Sequence, residues 1–512
     1  MPENARLTRT DRLALWGPAI AVLALHVAFA TTFGIFRDEL YYLSCARRLA
    51  WGYVDHPPFI ALITAVWTRL FGDSLAVIRL LPALTSAATV AVAGSIARRF
   101  GGGRFAVVLA GFAVGLAPTV LGLSSVLSMN VFELLFWALA FRIAVELLDG
   151  GDERLWLLFG AVVGVGLLNK VSMLLPAFGL VVGLLVTRRW EAFRSRYLWL
   201  GGGLALLIFT PHLLWQRANG WPTLEFMHNA STTKNVALTP FAFLKQQWLQ
   251  TGPFDALIWI SGLVALLVLA NLRPWRALGW AYLAILAVML STAAKPYYLS
   301  PVYPVLWAAG AVAIERITLA RRGGSAIRAV VVTLVILTGL LFAPLARPML
   351  PVEPYIRYSR ALGVKPGTDE RKSVGRLPQF YADMQEWRGL AEAVGRAGAL
   401  LSPAERATTC VFAQNYGEAG AVEYFGRELG LPRPISAHNN WFLWGPGDCP
   451  GSVMLVIGDD RETLSRLFEE VEPGATFDCR DCMPYEDGLS IWIVRRPRGQ
   501  LADVWPKIKN FS

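Results

Sequence analysis

The sequence predicts a polytopic α-helical membrane protein with a small α/β domain at its C-terminal end. Of 512 residues, 55% are hydrophobic and only 17% are charged, a composition too apolar for a soluble globule. Apolar runs recur along the first two thirds, many near the roughly 20 residues that a helix needs to cross a hydrocarbon core. From about Leu350 they give way to charged, Gly- and Pro-containing sequence with short alternating segments.

The runs lie at 14–33, 76–97, 105–123, 130–148, 155–169, 172–187, 198–215, 254–272, 277–293, 300–319 and 326–346, so about eleven spans are expected in a membrane domain covering 1–349. Orientation follows from the basic residues, because short cytoplasmic loops carry the Lys/Arg excess. Arg6, Arg9 and Arg12 precede the first run, and "RRFGGGR" (98–104), "RRWEAFRSR" (188–196), "RPWR" (273–276) and "RRGGSAIR" (321–328) occupy alternate gaps. They share one side only if 155–187 forms two short helices broken near Asn169-Lys170. The N-terminus is then cytoplasmic, and the loop 34–76 and the tail are extracytoplasmic. An alternative treats residues 1–30 as a cleaved signal peptide, since "AFA" (28–30) fits a small-x-small cleavage site.

The tail, 350–512, reads as a soluble α/β domain. "SVMLVIG" (452–458) and "LSIWIVRR" (489–496) have strand character, whereas "EWRGLAEAVGRAG" (386–398) and "RETLSRLFEEV" (461–471) have helical periodicity. Cys410, Cys449, Cys479 and Cys482 are four of the five cysteines in the chain. An oxidising compartment would allow them to pair, half a zinc site at "CRDC" is a second reading, and free thiols are the third.

A net charge of +11 is spread over the loops between runs, where orientation and anionic headgroups account for it. No basic stripe with stacking aromatics points to nucleic acid. "FGGGRF" lacks the Lys-Ser/Thr ending of a phosphate loop, so chemistry here must use an activated substrate or an ion gradient.

"FRDELYYLSCARRLAWGYVDHPP" (36–58) crowds ionisable and aromatic residues after the first span. As a helix, its first part places aromatic and aliphatic residues on one face and Arg47 and Arg48 on another, suited to the interface plane or to an amphipathic connector. Asp38 and Glu39 end a span, where unpaired carboxylates are costly and usually functional.

These residues resemble the first outer loop of the dolichyl-phosphate-mannose protein mannosyltransferase family, which includes bacterial members and aminoarabinose transferases of the GT-C type. The resemblance rests on Asp-Glu-x-Tyr-Tyr followed by Gly-Tyr-x-Asp-His-Pro-Pro. It is extended by "GLLNKVSMLL" (166–175), "PHLLWQRANGWPTLEF" (211–226), "KPYYLSPVYP" (295–304) and "NYGEAGAVEYFGRELGLPRPISAHNNWFLWGP" (415–446). It implies an inverting, membrane-embedded glycosyltransferase of the bacterial inner membrane, moving a hexosyl or pentosyl group from a polyprenyl-phosphate sugar to a lipid, glycan or protein hydroxyl. Asp38 takes the place of the family's catalytic base, and Glu39, Asp55 and Glu133 are secondary acidic candidates.

Cations must meet the leaving phosphate, and Lys170, Lys295, Arg47 and Arg48 stand at outer ends or in the first loop. Asn130, His56, Tyr41 and Tyr297 are candidates for sugar or acceptor contacts. One departure concerns Asn130, which stands where many members carry a second acid. An amide cannot act as a base, so Glu133, one helical turn on, becomes the substitute. No cofactor is assigned. Asp55, His56 and Glu39 form a candidate divalent site for Mn, Mg or Zn, with loop-fixing hydrogen bonds as the alternative, and His212 and His228 join only if the later outer loop folds over the first. Two other functional classes stay open: a transporter or flippase of lipid-linked sugars, and a catalytically weakened member acting as a binding module.

Overall fold

The computed structural model describes residues 8–292 and 294–512. Arg6 of the basic count lies outside them. Each of the eleven apolar runs contains an α-helix. Among the described residues, six helices are long and apolar enough to cross a membrane: Arg9–Ala28, Leu75–Arg99, Arg196–Ala218, Ala270–Ser291, Pro296–Leu319 and Gly324–Ala346. A seventh candidate is the pair Pro240–Thr251 and Asp255–Val268, bent by 112°. The expected eleven full spans are therefore not all present as single long helices, since Arg104–Leu116, Leu155–Asn169 and Val171–Val186 are short and Met129–Leu148 carries Glu133, Arg142 and Glu146. The 155–187 segment does break as expected. Leu155–Asn169 ends at an extended Lys170 (φ −158°, ψ 134°), and Leu174–Val186 follows a single 3-10 turn.

The chain divides into two compact units. One comprises Met1–Thr32, Phe71–Leu214 and Val236–Leu350, and the other Phe33–Leu70, Trp215–Asn235 and Pro351–Ser512. The division is discontinuous, unlike the contiguous 1–349 and 350–512 read from composition, because two loop segments pack with the tail.

The helical unit is held by small residues that let helices touch through their backbones. A Cβ on Gly262 would collide with the Leu306 carbonyl, and one on Gly310 with the Ile258 carbonyl, so Asp255–Val268 and Tyr303–Leu319 meet without side chains between them. Two of the charges buried here find backbone partners. Arg347 donates to the His26 carbonyl at 2.6 Å, and Glu315 accepts from the amides of Gly103 (2.5 Å) and Ala106 (3.3 Å) at the start of Arg104–Leu116. Ala19 and Val22 of the first helix are core residues. Cleavage after Ala30 would remove them.

The second unit contains a five-stranded sheet in the order β2-β1-β3-β5-β4. Its strands are β1 Cys410–Ala413, β2 Pro434–Ser436, β3 Val453–Ile457, β4 Phe468–Phe477 and β5 Leu489–Pro497. β1 pairs in parallel with β2 and β3, while β5 runs antiparallel to β3 and β4. The helix expected over 461–471 stops at Leu467. Beyond it Phe468 pairs with Pro497 and Val471 with Val494, so ladder bonds to β5 override the local helical period. The cysteines form two disulfides, Cys410–Cys449 and Cys479–Cys482. The first-loop helix Arg37–Arg47 is a further correction. Residues Leu40 to Cys45 are all buried, and a Cβ on Gly420 would lie 2.9 Å from that of Leu40. It is a core helix packed on Tyr416–Leu429, with no free amphipathic face.

Gly262→Leu is expected to destabilise the protein by roughly 1–3 kcal/mol through overpacking, read as a lower melting temperature in detergent. Gly202→Leu, at a position with open space around its Cβ, should leave it unchanged.

Candidate functional site

The first-loop helix begins because Phe36 is extended (φ −80°, ψ 145°) and its amide donates to Glu39 Oε2 at 2.8 Å, the reach-back bond of a capping box. Glu39 is fully buried in that role. Its neighbour Asp38 sits half-buried in the same first turn, where the helix N-terminus favours negative charge. The Tyr416 hydroxyl donates to Asp38 Oδ1 at 2.8 Å. The adjacent Arg37 is buried, pairs with Asp383 at 3.6 Å, donates to the Tyr485 hydroxyl at 2.8 Å and lies 5.1 Å from the Tyr416 ring centre. One carboxylate of the Asp-Glu pair is thus taken up by the cap, and the other is held by Tyr416 through one of its two oxygens.

Asp55 and His56 lie behind this group in the same unit. The Asn440 amide donates to the Tyr41 hydroxyl (3.3 Å), which donates to Asp55 Oδ1 (2.8 Å). Burial raises the Asp55 carboxyl, against the opposing pull of His56 and Tyr41. His56 is fully buried, stacks on Tyr53 at 4.6 Å, and turns Nδ1 to the Pro57 carbonyl (2.8 Å) and Nε2 to Cys45 Sγ (3.7 Å). Burial lowers its basicity. The candidate metal set does not converge: Glu39 is turned into the helix cap, and both His56 nitrogens face protein atoms. Among the described residues no three His, Cys, Asp or Glu side chains gather where an ion could sit. The later loop does fold onto the first, with Thr223 Oγ1 donating to the Tyr53 carbonyl at 3.3 Å. His228 nevertheless stays exposed, and His212 is buried in the helical unit.

Arg47 and Arg48 are committed within the second unit. Arg48 makes a two-pronged pair with Glu423 (2.5 and 3.2 Å) and lies over the rings of Trp441 and Trp444, while Arg47 approaches the same carboxylate at 3.9 Å. A phosphate role for Arg48 would have to break a bidentate pair.

In the helical unit, residues 130, 133 and 170 come together. Lys170, at the break after Leu155–Asn169, donates to Asn130 Oδ1 (2.8 Å) and Glu133 Oε2 (2.7 Å), with its ammonium 4.6 Å from the Tyr298 ring centre and 6.0 Å from that of Tyr297. Ser172 donates to the other Glu133 oxygen. Asn130 and Glu133 hold the lysine between them, so Glu133 is an ion-pair partner and a poor base while the pair stands. Lys295 is half-buried and precedes the 3-10 segment Pro296–Val302.

Sequence reasoning missed Tyr416, Asp383, Glu418 and Glu486. The last two are buried carboxyls joined through Asn415 Nδ2, which donates to Glu418 Oε1 (2.7 Å) and Glu486 Oε1 (2.9 Å). Burial raises both, Glu486 to about 7, and their mutual repulsion raises Glu418 further. "NYGE" (415–418) was the available signal, but Glu486 is 68 positions further along the chain.

Residues 55–215 match the family model of dolichyl-phosphate-mannose-protein mannosyltransferase. No curated protein sequence matches the chain. Among solved structures, the fold is similar to ArnT from Cupriavidus metallidurans bound to undecaprenyl phosphate, with a TM-score of 0.65 at 16% identity, covering 95% of this chain and 98% of that one. The apo state of the same protein gives 0.64 at 16%, covering 94% and 97%. The arabinofuranosyltransferase AftD from Mycobacteria gives 0.51 at 16%, covering 96% of this chain and 40% of that one. The polytopic GT-C type fold with a small C-terminal sheet, expected from the sequence, is the fold observed.

The Glu418–Glu486 pair makes stability depend on pH with a defined sign. A carboxyl whose folded pKa is raised stabilises fully below its unfolded value of 4.5, and that contribution is lost as pH climbs through about 7. His56 and His438, the latter pushed down to about 3 by burial, act the other way below about 6.5, so a variant difference isolates the pair. Glu486→Gln should gain on wild type as pH rises from 5 to 8, by up to about 1.4 kcal/mol per pH unit, in thermal unfolding of detergent-solubilised protein. Parallel curves would show that the pair does not titrate there.

Proposed function

We propose that this chain is an inverting glycosyltransferase that moves a hexosyl or pentosyl group from a polyprenyl-phosphate donor to the hydroxyl of a lipid, glycan or protein acceptor. We place the reaction at the outer face of a bacterial inner membrane. The observation that carries the reading is Asp38: a half-buried carboxylate at a helix N-terminus, steadied through one oxygen by Tyr416 while its neighbour Glu39 is consumed as a cap. A positioned carboxylate that takes a hydroxyl proton as the nucleophile attacks supplies roughly 10²–10⁴-fold. The family match over 55–215 and the fold shared with ArnT support the reaction class.

The chemistry balances without a nucleotide. The acceptor oxygen bonds the anomeric carbon as the bond from that carbon to the phosphate oxygen breaks. The hydroxyl proton passes to Asp38, and the electron pair leaves with polyprenyl phosphate. In the helical unit, Lys170 is the cation assigned to the donor phosphate, with Lys295 as its second. Asn130 and Glu133 accept from Lys170, and a phosphate oxygen would take the place of one of these partners. Arg48, fixed on Glu423, is given no step.

The basic loops and the two helices formed from 155–187 support an N-terminus in the cytoplasm and a tail outside. A reporter fused after Arg347 should be active only outside the cytoplasm. Activity inside would overturn the orientation.

Asp38→Asn is expected to cut turnover of radiolabelled polyprenyl-phosphate sugar by purified protein at least 10²-fold with an unchanged melting temperature, because asparagine still accepts from Tyr416 but takes no proton. Glu39→Gln, whose amide oxygen can still cap Phe36, should keep turnover within a few-fold of wild type. Near wild-type turnover in Asp38→Asn would remove the base assignment. A wild-type protein that binds donor yet never turns it over would replace the enzyme with a carrier or binding module.

A further inference from the structure

The second unit holds a cavity of about 180 Å³ whose wall carries four cationic side chains: Arg37, Lys234, Arg371 and Lys372. Separate chain segments deliver them. Arg37 opens the first-loop helix, Lys234 ends the π-helical turn Ala230–Lys234, and the isolated bridge between Asn235 and Glu370 brings up the other two. Glu370 is the acidic side chain on this wall, and it pairs with Lys234 at 3.8 Å. Arg37 is paired with Asp383, yet its Nε is buried without a hydrogen-bond partner among the described residues. The Arg371 guanidinium donates to the Thr232 carbonyl at 2.9 Å, and the Lys372 ammonium lies 4.1 Å from the Tyr485 ring centre. Among the described residues neither forms an ion pair within 4.0 Å.

Two cations and one buried donor are therefore left over after the internal pairing. Like charges gathered in a partly enclosed space repel, and their repulsion is relieved by an anion. The volume is several times the roughly 30 Å³ share of one water molecule, room for a tetrahedral or planar oxyanion. Arg371 presents a forked donor suited to such a group, and Arg37 adds its buried Nε.

We propose that this cavity is a subsite for an oxyanion, a phosphate or carboxylate group, carried by the acceptor. The assignment to the acceptor rests on the transferase reading, whereas the binding of the oxyanion does not. Tyr416 lines the cavity and its hydroxyl holds Asp38, so the subsite adjoins the base. In an in-line displacement the base works on the side of the nucleophile, and the donor phosphate departs from the opposite face of the sugar. An anion beside the base therefore belongs to the molecule that is attacking.

Two measurements test this on the full-length protein in detergent. In calorimetric titration with inorganic phosphate, wild type should bind saturably. The double variant Arg371→Gln/Lys372→Gln should weaken binding by about tenfold or more, the loss expected when charge-assisted hydrogen bonds are removed. Both residues are exposed, so the variant should fold, and its melting temperature checks that it does. Arg388→Gln, at an exposed arginine outside the cavity lining and paired with Glu428, should bind as wild type does. Equal binding in the double variant, or no saturable binding in wild type, overturns the subsite whether or not the protein is a transferase. In turnover assays with a total membrane lipid extract as acceptor, the double variant should raise the acceptor KM about tenfold and leave the donor KM unchanged. A raised donor KM with an unchanged acceptor KM would overturn the acceptor assignment.

Discussion

The bond from the Phe36 amide to the Glu39 carboxylate decides what the first loop can do. It starts the helix at Arg37, so Asp38 falls in the first turn and its side chain leaves on the side of Tyr416. It also occupies the second of two adjacent acids, which separates their roles by position: the capping acid is fully buried and the other half-buried. Arg37, one residue earlier, is locked by Asp383 and Tyr485. Of the three consecutive charges, Arg37 is thus an anchor and Glu39 a cap, while Asp38 is held through one oxygen by Tyr416.

The helical unit applies the same economy at Lys170. An ammonium half-buried among apolar helices is costly unless it is paired and hydrogen-bonded, and here an amide, a carboxylate and two aromatic rings lie around it. The extended backbone at Lys170 that ends one short helix frees the side chain to reach Asn130 and Glu133 across to Met129–Leu148. Asn130 meets the lysine with a neutral amide oxygen, so Glu133 is the one carboxylate that it pairs with.

Much of this was legible from local pattern. The apolar runs became helices, the break at Asn169-Lys170 followed from keeping the basic loops on one side, and the strands at 453–457 and 489–497 followed from alternation. What failed was non-local. The helix expected through Val471 yielded to ladder bonds with a strand about 20 residues downstream, and the metal set dissolved because Glu39 was needed three residues upstream at Phe36. Glu486 carries no motif of its own, and Tyr416 stands in "NYGE" with no sign there of its partner. Their importance arises from being folded onto Asp38 and Asn415, which no short window of sequence displays. The contiguous domain boundary failed for the same reason, since composition cannot reveal that 33–70 and 215–235 pack with the tail.

That three-part construction bears on biosynthesis. Leu40, Tyr41 and Tyr42 are made early, yet the helix that covers them, Tyr416–Leu429, emerges from the ribosome more than 370 residues later. The first loop must wait with its apolar side chains uncovered throughout that interval, which makes it a natural client for chaperones. A premature stop anywhere before Tyr416 would leave these aromatics permanently exposed, marking the truncated chain for proteolysis even when every helix of the first unit has been made.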